Sequence, residues 1–276
     1  MLRLNKSEQP VTNAVEELSN RDVAVIGISL QMPLADQSDS FWDILSKQVD
    51  CVRDIPYTRL PDICTYAERM FGADSENQQY SQAAFLHRID YFDYKYFGLS
   101  PKEASLMNPP QRLSLQSACQ AIEDAGYSLE SMRGSRTGVY FGFEADDPFD
   151  YKRYIGSVEP ESLNIAGTGN LTSIISGRIS YILDLKGPSV CIDTACSSSL
   201  VAVHMACQAI RNGDCEAAVV GSVRVNLLPI KNQLNFGATS SSGRAKTFDD
   251  HSDGTGSGEG VITVLLKPLG LAVHDR

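Results

Sequence analysis

The densest chemistry in this sequence lies at Val190-Cys-Ile-Asp-Thr-Ala-Cys-Ser-Ser-Ser-Leu200. A short β-prone run leads into Cys196, and the pattern predicts a helix from about Cys196 to Arg211, stopping at Asn212-Gly213. A thiol at a helix N-terminus feels unsatisfied backbone N–H groups and the positive dipole end, which favours thiolate. The same N–H groups can polarise an acyl oxygen as one half of an oxyanion hole. Leu200, Val201, Ala202, Val203, Met205, Ala206, Cys207, Ala209 and Ile210 make the helix apolar nearly all round, which predicts burial. A second reading stays open on these residues alone: a small core cysteine, which is what most lone cysteines are. For Cys51, Cys64, Cys119, Cys191, Cys207 and Cys215 the core reading is the stronger. Their spacings form no C-x-x-C pair, so no metal site is predicted.

A nucleophilic cysteine usually works with a histidine, and the chain has four. His204 shares the helix, but eight residues at 1.5 Å rise set it about 12 Å away, so it reads as a packed helix histidine. His87, His251 and His274 have no motif around them. The sequence offers a nucleophile without an evident base. Gly254-Thr-Gly-Ser-Gly-Glu-Gly260 looks like a phosphate loop, yet it leads into a strand, Val261 to Leu266, and not into a helix. Close backbone packing is the predicted role, and no bound cofactor is expected.

The elements that must position Cys196 follow from periodicity. Short apolar runs at Val23–Gly27, Gly138–Phe143, Val190–Asp193, Ala217–Gly221 and Val261–Leu266 predict five buried strands. Helices are predicted at Ser40–Gln48 behind a capping Asp39, at Gln111–Ala125, and after Cys196. Strands separated by helices of this length give an α/β domain on a mixed, largely parallel five-stranded sheet. Residues 50–110 read as a long ordered excursion with few periodic segments, and excursions of that size tend to be functional. Residues 1–21 read as a linker or docking segment, and residues 22–276 as one domain.

Composition excludes several classes. With 24 Lys plus Arg against 34 Asp plus Glu, the net charge of -10 argues against nucleic-acid binding. No apolar run approaches the roughly 20 residues of a membrane span, and the start has no signal-peptide core. Seven cysteines in 276 residues, with no need of disulfide staples, point to reduced thiols in a cytoplasm.

The motif DTACSSSL around Cys196 resembles the active-site signature of β-ketoacyl synthases, in the form used by modular polyketide synthases. The resemblance runs from Val23 to about Leu269. It includes VAVIGIS at Val23, FWDIL at Phe41, FLHRIDYFDYKYFGLSPKEASLMNPPQRL at Phe85 and AIEDAGY at Ala121. TGVYFG at Thr137, SGRISYILDLKGPS at Ser176 and GRAKTFDDHSDGTGSGEG at Gly243 follow in the family's order. It implies a thiolase-like layered fold, of which this chain would be the N-terminal half with a buried active-site helix. It implies that Cys196 takes an acyl chain from an acyl carrier protein for decarboxylative Claisen condensation, with acyl and extender units presented on phosphopantetheine. It also implies a homodimer, with the excursion helping to frame the substrate tunnel.

The chain departs from the pattern at Asn108, where the family has Asp, at Cys119, where Trp is common, and at Ser241-Ser242, where a Pro-containing turn is common. The family's two catalytic histidines and its second oxyanion loop lie in a C-terminal half. No H-G-T-G-T or N-x-G-H pattern occurs here, so the fragment is expected to be incompetent in condensation by itself. Two alternatives stay open: a non-catalytic structural half of a split synthase, and a thiolase-like acyltransferase that loads without condensing.

Overall fold

The computed structural model describes residues 22–72, 75, 79–144, 149–230 and 239–275, so the predicted linker lies outside the described residues. Among the described residues there are five strands: β1 (Val23–Gln31), β2 (Thr137–Glu144), β3 (Ser189–Ile192), β4 (Ala217–Arg224) and β5 (Gly260–Pro268). They form one sheet in the order β1-β5-β4-β2-β3. β5 is antiparallel to both its neighbours, while β4, β2 and β3 are mutually parallel. Four strands therefore share one direction, as the alternation of strands and helices predicts.

The described helices are α1 (Ser38–Ser46), α2 (Leu60–Phe71), α3 (Pro101–Leu106), α4 (Pro109–Asp124), α5 (Leu129–Met132), α6 (Asp150–Val158), α7 (Ile174–Ile182), α8 (Ser198–Asn212) and α9 (Leu269–His274). α1 begins two residues earlier than its sequence pattern suggests. Gln37, and not Asp39, occupies its N-cap, and Asp39 lies inside the first turn. The excursion is more regular than expected, because it holds the twelve-residue α2 and the short α3. Pro near the start and Gly72 just past the end punctuate α2.

Side-chain alternation divides the core into two layers. Val139, Phe141 and Phe143 of β2 point to one face, where they meet Leu113, Leu115, Ala118 and Ile122 of α4 and Ile175 and Ile179 of α7. Tyr140 points to the other face, with Ala218 and Val220 of β4, and there meets Ala202, Ala206, Ala209 and Ile210 of α8. Burial of each large apolar side chain contributes about 1.5–3 kcal/mol. Small residues on α8 let that helix lie close to the sheet.

A buried ion pair ties the excursion to this sheet. Arg59 is 4% exposed and Glu259 is 5% exposed. Their fork is bidentate, with Nη1 donating to Oε2 at 2.6 Å and Nη2 to Oε1 at 3.0 Å. The same carboxylate accepts the backbone N–H groups of Leu86 and Asn226, each at 2.9 Å. Arg59 also donates to the carbonyls of Asn226 at 2.8 Å and Leu86 at 3.3 Å. The glycine-rich run around Glu259 does pack tightly: a β-carbon at Gly256 would come within 2.7 Å of the Gly243 carbonyl oxygen, and one at Gly260 within 2.7 Å of Met32 Sδ. That agrees with a packing role for these glycines.

Glu259→Ala leaves a buried guanidinium without its counter-charge, a change that typically costs about 3–5 kcal/mol. Urea melts of the two chains are expected to differ by that amount. A difference inside the range of ordinary surface substitutions, about 0.5 kcal/mol, would show that the pair holds nothing together.

Candidate functional site

The Cys196 segment is a tight connection between β3 and α8. Asp193 follows β3, and its Oδ1 accepts the Ala195 N–H at 3.0 Å, an Asx-type turn. Ala195 then adopts φ 54°, the left-handed region. An L-residue pays about 1–2 kcal/mol for that conformation, so neighbouring bonds must hold it. Ser197 Oγ donates to the Thr194 carbonyl at 2.7 Å and lies 2.9 Å from Thr194 Oγ1. Ser198 Oγ accepts the Thr194 N–H at 2.9 Å and donates to the Ala195 carbonyl at 2.7 Å. The Ser198 N–H reaches the same carbonyl at 2.9 Å.

Cys196 therefore stands in the turn, with Ser197 as the N-cap residue and α8 starting at Ser198. The predicted helix start at Cys196 moves by two residues. The N–H groups of Ser199 and Leu200 fall in the first turn, where a helix supplies no acceptor of its own. Cys196 itself is exposed. β2 approaches from the other side: a β-carbon at Gly142 would come within 2.9 Å of the Ser198 carbonyl carbon. Only glycine lets that strand lie against the start of α8. Asp193, Ala195, Ser198 and Gly142 carry no chemistry that periodicity can detect. The one available signal is the run of small and hydroxyl residues around Cys196.

The other thiols sort by burial. Cys119 is 4% exposed, and desolvation pushes its pKa up to about 12. Desolvation also raises Cys191 and Cys215. Cys51 and Cys207 are partly buried, which suits the core reading. Cys64 is exposed on α2, contrary to that reading, so exposure by itself does not single out Cys196.

α8 corrects the expectation of burial on every side. Ala202 and Ala206 are fully buried, but Leu200 is 75% exposed and Met205 38% exposed. One face lies on the sheet and the other is open. His204 is on that open face and is exposed, not packed. The remaining histidines are engaged elsewhere. His87 meets the Tyr57 ring edge-on at 6.0 Å, His251 pairs with Asp249 and Asp250 at 3.1 and 2.7 Å, and His274 Nδ1 lies 3.6 Å from Asp275 Oδ1. Among the described residues, no hydrogen bond or ion pair joins an imidazole to Cys196. Asp249, Asp250 and His251 bring ligand-type atoms within 4.8 Å of one another, but all three are exposed, as such acidic groups often are without an ion.

Two of the three departures have ordinary settings, whereas Asn108 is buried with its Oδ1 left without a hydrogen-bond partner. Asn108 is the N-cap residue of α4, without a side-chain cap bond. Cys119 fills a core position of α4. Ser241 donates through its N–H to Asp253 Oδ2 at 3.0 Å, and its hydroxyl donates to the same oxygen at 2.5 Å. No described helix is long and apolar enough to cross a membrane.

Residues 20–272 match the family model described as "Beta-ketoacyl synthase, N-terminal domain". The chain is 40% identical over 272 residues to the polyketide synthase PksL of Bacillus subtilis, across 95% of this chain and 6% of that protein. It is 40% identical over 257 residues to a 6-methylsalicylic acid synthase of Aspergillus niger, across 92% of this chain and 14% of that one. A solved ketosynthase from module 6 of the bacillaene synthase of Bacillus subtilis superposes with a TM-score of 0.76 at 34% identity, over 92% of this chain and 41% of that one. An oxazolomycin ketosynthase domain from Streptomyces albus gives 0.74 at 32%, over 92% and 44%. The chain thus spans about two fifths of these solved ketosynthases and far less of the curated synthases. These matches show that the chain belongs to the β-ketoacyl synthase family, as the N-terminal domain of a ketosynthase of the polyketide synthase type.

Proposed function

We propose that Cys196 is the acyl acceptor of a polyketide ketosynthase. The observation that carries this reading is an exposed thiol on a restrained left-handed turn directly ahead of α8. Its Sγ, as thiolate, attacks the carbonyl carbon of a thioester on the phosphopantetheine arm of an acyl carrier protein. A new carbon–sulfur bond forms, the bond to the pantetheine sulfur breaks, and the departing thiolate takes up the proton that Cys196 released. First-turn N–H groups of α8 favour both the thiolate and the oxyanion of the tetrahedral intermediate. In the condensation that follows, an extender unit loses carbon dioxide, its carbanion attacks the bound acyl carbon, and the Cys196 thiolate leaves.

The second half of that cycle asks for more than the described residues bring to Cys196. An enolate needs donors, and loss of one such donor typically costs about 10²–10³ in rate. The placement of the four histidines favours the loading step over condensation for this chain by itself. The open face of α8, with Leu200 and Met205, supports a C-terminal ketosynthase half as its cover, since the solved ketosynthases extend well beyond the matched region. Assembly as a homodimer in the cytoplasm belongs to the same proposal. A purely structural half would leave Cys196 without acyl chemistry, so acyl loading separates the two readings.

Incubated with an acyl-carrier thioester, the chain is expected to carry the acyl group on the Cys196 peptide, and Cys196→Ala to abolish the adduct. Mass mapping that finds Cys64, Cys191 or Cys207 labelled equally would contradict the assignment. Supplied with a malonyl thioester as well, this chain by itself is expected to yield no β-ketoacyl product above the enzyme-free background. A measurable product would show that the base and the second oxyanion donor are already present.

A further inference from the structure

One buried hydroxyl links the N–H of Thr194 to the carbonyl of Ala195, spanning the strained residue that precedes Cys196. Ser198 is 3% exposed. Its Oγ accepts the Thr194 N–H at 2.9 Å and donates to the Ala195 carbonyl at 2.7 Å. Between those two groups Ala195 holds φ 54°. An alanine keeps that conformation only where its surroundings over-determine it. Ser197 also bonds the turn, but it is exposed, so water can replace its hydroxyl. Water has no such access to Ser198. Gly142 of β2 lies against it, where a β-carbon would come within 3.0 Å of Ser198 Cβ. The latch is thus clamped between the sheet and the turn.

We propose that Ser198 is a positioning residue, whose hydroxyl holds the left-handed turn at Ala195 and so keeps the Cys196 Sγ ahead of the first turn of α8. The catalytic consequence rests on the acyl-acceptor reading of Cys196. Without the hydroxyl, the Thr194 N–H loses its acceptor and Ala195 relaxes toward negative φ. The thiol then leaves its place before the helix while remaining exposed, so the loss falls on reaction and not on access.

The test uses the full 276-residue chain and two probes, both read on the Cys196 peptide by mass spectrometry: the acetyl thioester of N-acetylcysteamine, and iodoacetamide. Ser198→Ala is expected to lower the limiting single-turnover acylation rate at least tenfold, with the half-saturating thioester concentration unchanged within twofold. Adding Ala195→Gly is expected to recover at least threefold of that loss, because glycine takes the left-handed conformation without restraint. Alkylation is expected to follow the same order, which tests Ser198 even in a chain that accepts no acyl group. An unchanged limiting rate in Ser198→Ala overturns the proposal. So does a loss of rate, or of the folded state, that Ala195→Gly fails to relieve, because it assigns Ser198 to general packing. Absence of any acyl adduct on wild-type Cys196, with the alkylation order intact, would instead overturn the acyl-acceptor reading and leave the latch standing.

Discussion

The buried Arg59–Glu259 pair is the constraint from which the arrangement of the sheet ends follows. Arg224 and Gly260 form the last matched position of the β4–β5 register. Glu259 and Asn226 lie just beyond it, and both are bound into the ionic knot. The knot therefore closes the ends of two neighbouring strands onto Arg59 and Leu86 of the excursion. Two charges taken out of water are tolerable only when every lone pair of the carboxylate finds a donor, and here four donors converge on it. The excursion is held as part of the domain by this ionic knot, in which the carboxylate is fully paired while Arg59 Nε is left without a partner, together with the small apolar cluster of Ile63, Tyr66, Leu228 and Ile230.

From β4 the constraint passes to the site. Gly142 in β2 is matched to Ser222 in β4 and to Ile192 in β3. It is also the point where the sheet touches Ser198. The register of the three parallel strands thus sets where the β3–α8 turn can sit. β3 ends at Ile192, the turn occupies the five residues 193–197, and α8 lies back across β2 and β4 with its alanines down. The thiol of Cys196 is carried by backbone whose position is determined by packed strands on one side and by hydroxyl bonds on the other. Preorganisation of this kind is what the proposed acyl-acceptor role of Cys196 requires.

Much of this was legible in the residues. All five strands show as short apolar runs, but the expectation of burial holds only inside the sheet: β2 and β4 are buried on both faces, whereas β1 and β3 form the two edges and are only partly buried, with Val25 61% exposed. α4 and α8 show as long stripes between turn residues. Other elements were hidden for physical reasons. α2 lies among Tyr, Pro and Asp residues, and only three of its twelve residues are buried, so its stripe is faint. α6 and α7 are nine residues each, too short for periodicity to stand out. The apolar outer face of α8 reads as burial in the sequence, whereas in this chain Leu200 faces open space; composition records what a face could bury, not what lies against it. At the candidate site, the motif and small neighbours singled out Cys196, and the structure places it exposed in the turn before α8. The Ser198 bridge was not, since a hydrogen bond between residues three or four apart in a turn leaves no periodic trace.

The central claim is that the fold, and not mere exposure, gives Cys196 its chemistry. Cys64 supplies the internal standard, because it is exposed on α2 in the same molecule. The direct measurement is the ratio of iodoacetamide alkylation rates at Cys196 and Cys64, read peptide by peptide at neutral pH, in the folded chain and again in concentrated urea. A thiol held in place by the turn before α8 predicts at least a tenfold preference for Cys196 in the folded chain, collapsing to near unity once the turn is lost. Equal rates in the folded chain, or a preference that survives unfolding, would contradict the account.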